Sequence, residues 1–236
     1  MGTLRDRLLL NDGPASLCSG AIAVTAVVDR LARGELPVKL IGSNGLTAAD
    51  LIAAVAHEAL GNDDAMGPTL VQTRPRLPAL LRSLSEPAWV AVFPGVPHRA
   101  RLCLAAGLLQ VHDFWDASHD AAQQADDQGE RACSAYWHGI AHRREPDAGN
   151  AAYWFRRVGK HPIFPPLAKA ALPLLEAHGD SRLAGRLISG NGWNATAMID
   201  ACTAARPGTP EESLLRRLQR LEMWLLLEAT FAEIGT

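Results

Sequence analysis

Beyond Pro97, apolar residues recur every three or four positions, and short polar or proline-containing connectors separate the segments that carry them. This spacing places apolar side chains on one face of an α-helix, and it limits the fold more than any other feature. The last and longest such face comprises Leu214, Leu218, Leu221, Leu225 and Ala229. Alanine and leucine dominate, while β-branched residues are scarce after the first ninety positions, which favours helix over sheet. We therefore predict an all-α fold, an irregular multi-helix bundle.

The N-terminal third has a different character, because proline is frequent between residues 61 and 97. We predict a loop-rich region there, preceded by a helix over residues 15–33 and by a short extended segment at residues 38–41. Thr47 is the expected N-cap of the next helix, and Asp50 at the third helical position completes a capping box.

The length of 236 residues suits one substantial domain. We predict a single all-α domain over 1–236, with N-terminal helices and loops in 1–97 and a helical core in 98–236. The formal net charge of −2 shows no excess of basic residues, so we expect no nucleic-acid partner.

The cysteines are widely spaced and form no C-x-x-C pair, which is typical of small buried side chains in a reducing compartment. They are Cys18, Cys103, Cys133 and Cys202. The apolar run at residues 21–28 is far shorter than a membrane span, so we expect no membrane partner and a cytoplasmic location. The apolar face of the terminal helix is compatible with a homodimer.

One stretch, from His112 to His161, concentrates the residues that carry chemistry. Five of the eight histidines fall there, interleaved with carboxylates, arginine pairs and aromatic residues. These histidines are His112, His119, His138, His142 and His161. Such a mixture is costly to bury unless the polar groups satisfy one another or hold a ligand.

The first half of this stretch is predicted to lie on one helix from His98 to about residue 125. On such a helix, the apolar stripe that includes Leu109 continues as His112, Asp116 and His119. Two imidazoles and a carboxylate then occupy the same helix face whose preceding turns carry apolar, core-facing residues. Polar side chains on that face need partners.

A second helix, from about Glu130 to Arg144, places His138 and His142 on one face, with Glu145 one turn beyond. Histidines four residues apart can converge on a single metal ion, since their Cβ atoms stand about 6 Å apart. The H-E-x-x-H zincin motif is not present, because Gly139 stands where its glutamate would be. A carboxylate three residues beyond the second histidine can ligate directly or orient the imidazole.

These two helices together predict one site for a divalent transition metal, with zinc, iron, manganese or nickel suited to nitrogen and oxygen ligands. The predicted metal ligands are His112, His119, His138 and His142. Asp116 is predicted to ligate or to act as a base, and Glu145 to orient a ligand. The alternative is that the histidines are structural, each satisfied by a carboxylate or a backbone carbonyl.

Arginines near the histidines point to an anionic small molecule, because guanidinium groups bind carboxylates and phosphates through paired hydrogen bonds. The predicted substrate-binding residues are Arg143, Arg156 and Arg157. Each of them can equally well pair with a nearby carboxylate such as Glu145 or Asp147.

The same region carries a long motif, YWHGIxHRREPDxxNAxYWFRRVGxHP, preceded by HDxxDxSH. It resembles the core motif of an uncharacterised family of bacterial and fungal proteins. The resemblance covers mainly residues 110–165, and the C-terminal segment LLRRLQRLEMWLLL resembles the family more weakly. It implies relatedness to that family and brings no assigned activity.

Three functional hypotheses follow from these patterns. The first is a metal-dependent enzyme or small-ligand-binding protein with its site between the two central helices. The second is a non-catalytic α-helical scaffold or protein-interaction module, with residues 153–155 and the terminal helix as its surfaces. The third is a metal-free pocket in which His138 or His142 performs acid–base chemistry with Asp116.

Overall fold

The computed structural model describes Leu4 and residues 24–42, 46–62 and 64–235. It is 68% helical, and its described residues form twelve α-helices and one two-stranded sheet. The predicted all-α multi-helix bundle is therefore confirmed.

The helices are numbered in chain order. They are α1 (Val24–Ala32), α2 (Ala48–Leu60), α3 (Leu81–Leu84), α4 (Glu86–Trp89), α5 (His98–Val111), α6 (Trp115–Asp127), α7 (Cys133–Arg144), α8 (Ala148–Val158), α9 (Phe164–His178), α10 (Ser181–Leu187), α11 (Ala195–Ala204) and α12 (Pro210–Ile234). A small antiparallel hairpin joins α10 to α11, with β1 (Ile188–Ser189) paired to β2 (Gly192–Trp193).

Polar residues define where several helices begin. The capping box predicted for α2 is confirmed, because Thr47 Oγ1 accepts from the Asp50 N–H at 3.2 Å and the Asp50 carboxylate accepts from the Thr47 N–H at 2.9 Å. Asp147 caps α8 by accepting from the N–H of Asn150. Caps of this kind each stabilise a helix by about 1 kcal/mol.

The helices α5 and α7 form the centre of the bundle, since each packs against several others, including α6 and α12. Glycines permit this close approach. A Cβ built on Gly107 of α5 would stand 2.7 Å from the Trp137 ring and 2.8 Å from Leu227, and one on Gly139 of α7 would stand 2.9 Å from Phe155. Neither position has room for a larger side chain unless a neighbour moves.

The prediction of one continuous helix from His98 to about residue 125 is wrong. The chain leaves the helix after Val111, and α6 begins only at Trp115. Asp113 between them adopts a left-handed backbone conformation, with φ of 65°. Its carboxylate holds this corner in place by accepting from Arg144 at 2.5 Å and from Thr73 at 3.0 Å.

Smaller differences lie in the N-terminal third. Residues 38–41, predicted as extended, instead lie in a 3-10 helix at Pro37–Lys39 and in the turn that follows it. Proline favours this 3-10 helix because its fixed φ suits a helical start. The first part of the predicted helix over 15–33 lies outside the described residues, and α1 forms its second part.

Among the described helices, none combines the length and the apolar character that crossing a lipid bilayer requires.

Candidate metal centre

Three imidazoles converge where α6 packs against α7. The ring centroid of His119 lies 4.3 Å from that of His138 and 5.2 Å from that of His142, and the last two lie 5.0 Å apart. One ring nitrogen from each residue lies within 4.8 Å of the other two. Nitrogen ligands of one ion at about 2.1 Å stand about 3.4 Å apart, so small ring movements would complete a shared site.

The two helices place these rings for different reasons. His138 and His142 share a face of α7 because they are four residues apart, as the sequence predicts. His119 comes from the second turn of α6, whose direction is set by the corner at Asp113. The spacing along α7 therefore predicts the placement of two of the three rings. The placement of the third depends on the tertiary contacts that hold the corner at Asp113.

Two tryptophans form walls around the rings. The indole of Trp115 stacks on His119 with centroids 4.9 Å apart, and that of Trp154 stacks on His138 at 3.8 Å. Trp115 is fixed by a 3.0 Å hydrogen bond from its Nε1 to the carbonyl of Ala141. These contacts restrict the rotation of the imidazoles and shield one side of the cluster from water.

Glu145 orients the third imidazole. Its carboxylate lies 2.9 Å from Nδ1 of His142. Because a carboxylate accepts, Nδ1 is the donor in this hydrogen bond, which leaves Nε2 as the ring nitrogen that could bind a metal ion. This is the arrangement in which a carboxylate supports a metal-binding histidine from behind.

His138 is the most enclosed member of the cluster. It is 1% exposed, and its Nδ1 has no hydrogen-bond partner among the described residues. Burial lowers its pKa to about 3, and the neighbouring His119, His142 and Arg157 act in the same direction. The ring is therefore neutral at physiological pH, which is the form that binds metal ions.

The fourth predicted ligand, His112, lies apart from this cluster. Its position at the end of α5 directs the ring toward α2, where Nε2 donates to the carbonyl of Val55 at 2.9 Å. Burial lowers its pKa to about 4. It lines a separate cavity of about 370 Å³, together with Arg76 and Arg216.

Asp116 also lies outside the imidazole cluster. It is exposed on α6 and lines a surface cavity of about 540 Å³ with Arg74 and Trp115. Trp115 therefore contacts His119 and also lines this cavity. The continuous helix that would have aligned Asp116 with His112 does not form.

The predicted substrate-binding arginines have three different surroundings. Arg143 is fully buried and pairs with Glu222 at 2.5 Å. Arg156 is exposed on α8 and forms no ion pair within the part of the chain that the structure describes. Arg157 lies over the Trp154 ring at 5.0 Å and pairs with Asp126 at 2.7 Å. Arg157 is therefore the one of the three that borders the imidazole cluster.

Sequence reasoning did not assign a role to Trp115, Trp154 or Asp147 in the site. Asp147 contributes an oxygen that lies within 4.8 Å of ligand atoms of His142 and Glu145. One signal was available, since Trp115 lies four residues before His119 and shares its helix face. The position of Trp154 depends on how α8 packs against α7, which spacing alone does not reveal.

This arrangement has the donor set of a transition-metal site: three imidazole nitrogens, a supporting carboxylate and a partly open side at His119, whose side chain is 26% exposed. No protein-family model, no curated protein and no solved structure matches the chain.

Proposed function

We propose that His119, His138 and His142 bind one divalent transition metal ion, and that the protein is an enzyme or ligand-binding protein built around it. The observation that carries this proposal is the convergence of three imidazole nitrogens within 4.8 Å. Structural histidines that are each satisfied by their own partner have no need to face one another. The missing partner at Nδ1 of His138 supports the same conclusion.

The donor set suits zinc, iron, manganese or nickel, all of which accept imidazole and carboxylate ligands. Such an ion would act as a Lewis acid or lower the pKa of a bound water. Glu145 is the best-placed acid–base residue, because its side chain is 38% exposed and contacts His142 directly. Asp116 could act only on a molecule that also occupies the cavity that it lines with Trp115.

An anionic small molecule is the proposed substrate class, with Arg157 as the residue that would contact it. Arg157 lies over Trp154, which stacks on His138, and one third of its side chain is exposed. Its pairing with Asp126 fixes the guanidinium while leaving other N–H groups to donate. Arg143 is unsuited to this role, because a substrate would have to displace Glu222 from a fully buried pair.

Metal analysis of untagged protein tests the proposal. We expect about one equivalent of transition metal per three-histidine site, and a lower melting temperature after chelation, since an ion that binds only the folded state stabilises it. His119→Gln should lose the equivalent that is bound at this centre. His178→Gln, on the outer helix α9, is the matched control and should keep it.

The proposal fails if His119→Gln binds as much metal as wild type, or if purified protein holds only trace metal, binds none on titration with Zn²⁺, Fe²⁺, Mn²⁺ or Ni²⁺, and melts identically in chelator. The latter result would favour a metal-free site in which His142 and Glu145 form an acid–base pair.

The competing hypothesis is an α-helical scaffold or interaction module. Of the aromatic segment predicted to be its surface, Trp154 and Phe155 are buried, and only Tyr153 is exposed. The apolar face of α12 is likewise largely buried in the bundle. A cytoplasmic location belongs to our proposal, and it agrees with the free, buried thiols of Cys103, Cys133 and Cys202; Cys18 lies outside the described residues.

A further inference from the structure

A second cluster of potential ligands surrounds the N-terminal end of α7. It consists of Glu130, Cys133, His161 and Glu233, brought together from the α6–α7 connector, α7, the α8–α9 connector and α12. Glu130, Cys133 and His161 are each less than 9% exposed, and Glu233 reaches the surface. The cluster and the three-histidine centre lie near opposite ends of α7, because Cys133 and His142 are nine residues or about 14 Å apart along the helix.

The distances in this cluster are close to those of metal coordination. Sγ of Cys133 lies 3.8 Å from Nε2 of His161 and 3.8 Å from Oε1 of Glu233. Ligand atoms of Glu130, Cys133 and Glu233 all lie within 4.8 Å of one another. In tetrahedral zinc sites with a Zn–S bond of about 2.3 Å and Zn–N or Zn–O bonds of about 2.1 Å, sulfur stands about 3.6 Å from its neighbours.

The charges in the cluster also favour a cation. Ligand oxygens of Glu130 and Glu233 lie within 4.8 Å of each other, so two acidic groups adjoin at this point. Glu130 is fixed, since its carboxylate accepts from the backbone N–H groups of Ala132, Cys133 and Ser134. A cation between the two carboxylates would relieve their repulsion.

We propose that Glu130, Cys133, His161 and Glu233 form a second metal site, separate from the three-histidine centre and suited to zinc. One thiolate, one imidazole and two carboxylates supply four ligands of the kinds that zinc accepts. Because Cys133 of α7 lies beside Glu233 of α12, an ion held here would link the two helices, in a more buried setting than the three-histidine centre.

His161 is the ligand that must change most. The N–H of Ile163 points at its Nδ1 at 3.3 Å, which keeps the proton on Nε2 in the metal-free protein. Metal binding at Nε2 displaces that proton and costs this long hydrogen bond. Removing His161 should therefore weaken the site without abolishing it, whereas removing Cys133 should eliminate its sulfur ligand.

Cobalt(II) provides a test that separates the two centres. Metal-free protein, kept reduced with a phosphine, is titrated with Co²⁺, and we expect an intense near-ultraviolet charge-transfer band from thiolate to cobalt. The three-histidine centre contains no sulfur and cannot produce this band. The band should vanish in Cys133→Ser and persist in His142→Gln.

Glu233→Gln covers the case in which Cys133→Ser does not fold, because the Glu233 side chain reaches the surface. We expect it to weaken the cobalt affinity read from this band at least tenfold, while Glu176→Gln, an exposed change on α9, leaves it unaltered. The proposal is overturned if folded wild-type protein shows no such band at saturating Co²⁺, if the band survives in a folded Cys133→Ser variant, or if Glu233→Gln binds as tightly as wild type.

Discussion

Burial sets the charge of individual histidines in this protein. It lowers the pKa of His138 to about 3 and that of His112 to about 4, both far below the ordinary value near 6.5. In the three-histidine centre, this keeps a ring neutral beside two other rings. His112 is also kept neutral by burial, and its ring contributes to packing, because it donates to the carbonyl of Val55 in α2.

These lowered pKa values predict a loss of stability in acid. Below pH 6.5 these histidines take up protons in the unfolded chain, whereas the buried rings of the folded protein stay neutral. The free energy of unfolding therefore falls as the pH drops toward 4. The slope is at most about 1.4 kcal/mol per pH unit for each histidine. Urea unfolding of chelator-treated protein between pH 7 and pH 4.5 measures it.

His112→Gln isolates one histidine's share of that slope, because glutamine can still donate to Val55 but does not titrate. We expect a shallower decline for this variant and an unchanged one for His178→Gln. Parallel pH profiles for wild type and His112→Gln would show that burial does not suppress protonation of this ring.

Glu145 offers a separate test of how the proposed metal ligand His142 is supported. Glu145→Gln keeps an oxygen that accepts from Nδ1 but removes the negative charge. Changes of this type lower metal affinity about 10- to 100-fold. Competition with a chromogenic chelator should show that loss at unchanged melting temperature of the metal-free protein, and Glu176→Gln should bind as wild type does.

At the scale of helices, the sequence predicts those parts of the site that depend on a single element. His138 and His142 share a face because α7 is regular over both, and Glu145 follows one turn later. His112 and His119 were expected to share a face in the same way, but the corner at Asp113 separates them. The corner has no proline or glycine to mark it, and the partners that hold Asp113, Thr73 and Arg144, lie more than thirty residues away in the chain.

The tight packing of α7 on α8 leads to a matched pair of predictions. Gly139→Ala forces a methyl group to within 2.9 Å of Phe155, so α8 must shift, at a cost of about 1–3 kcal/mol. Gly185→Ala, on the exposed side of α10, meets nothing within 4 Å and should stabilise by up to about 1 kcal/mol.

Chemical denaturation measures both changes. Since α8 carries Trp154, which stacks on His138, Gly139→Ala should also weaken metal binding, whereas Gly185→Ala should not. Equal effects of the two substitutions on stability would contradict the close contact between α7 and α8.

On the scale of the whole molecule, a buried polar network ties the central helix to the C-terminal one. Glu222 of α12 accepts from Arg143 at 2.5 Å and from the Tyr136 hydroxyl at 2.8 Å, and the side chains of the ion pair are fully buried. Glu222 also holds the pKa of Arg143 above its ordinary value, even though burial acts in the opposite direction. The network lies behind the face of α7 that carries the histidines, so it fixes the helix without entering the site.

Breaking this pair should be far more damaging than replacing it. Glu222→Gln leaves a buried guanidinium without its counter-charge and should cost about 3–5 kcal/mol of unfolding free energy. The double variant Arg143→Met with Glu222→Leu removes both charges and should lose much less. A double variant that is less stable than Glu222→Gln would show that the ion pair itself stabilises the bundle.

The indoles stacked on the imidazoles give the protein a built-in optical signal. The chain has six tryptophans, and Trp115 and Trp154 lie directly against His119 and His138. A paramagnetic ion such as Cu²⁺ held by those rings would quench the emission of both indoles. Trp89, which lies on α4 and donates from its Nε1 to the carbonyl of Leu84, would serve as the reference. Loading of the centre can thus be followed by intrinsic fluorescence, and Trp115→Phe should reduce the quenched fraction.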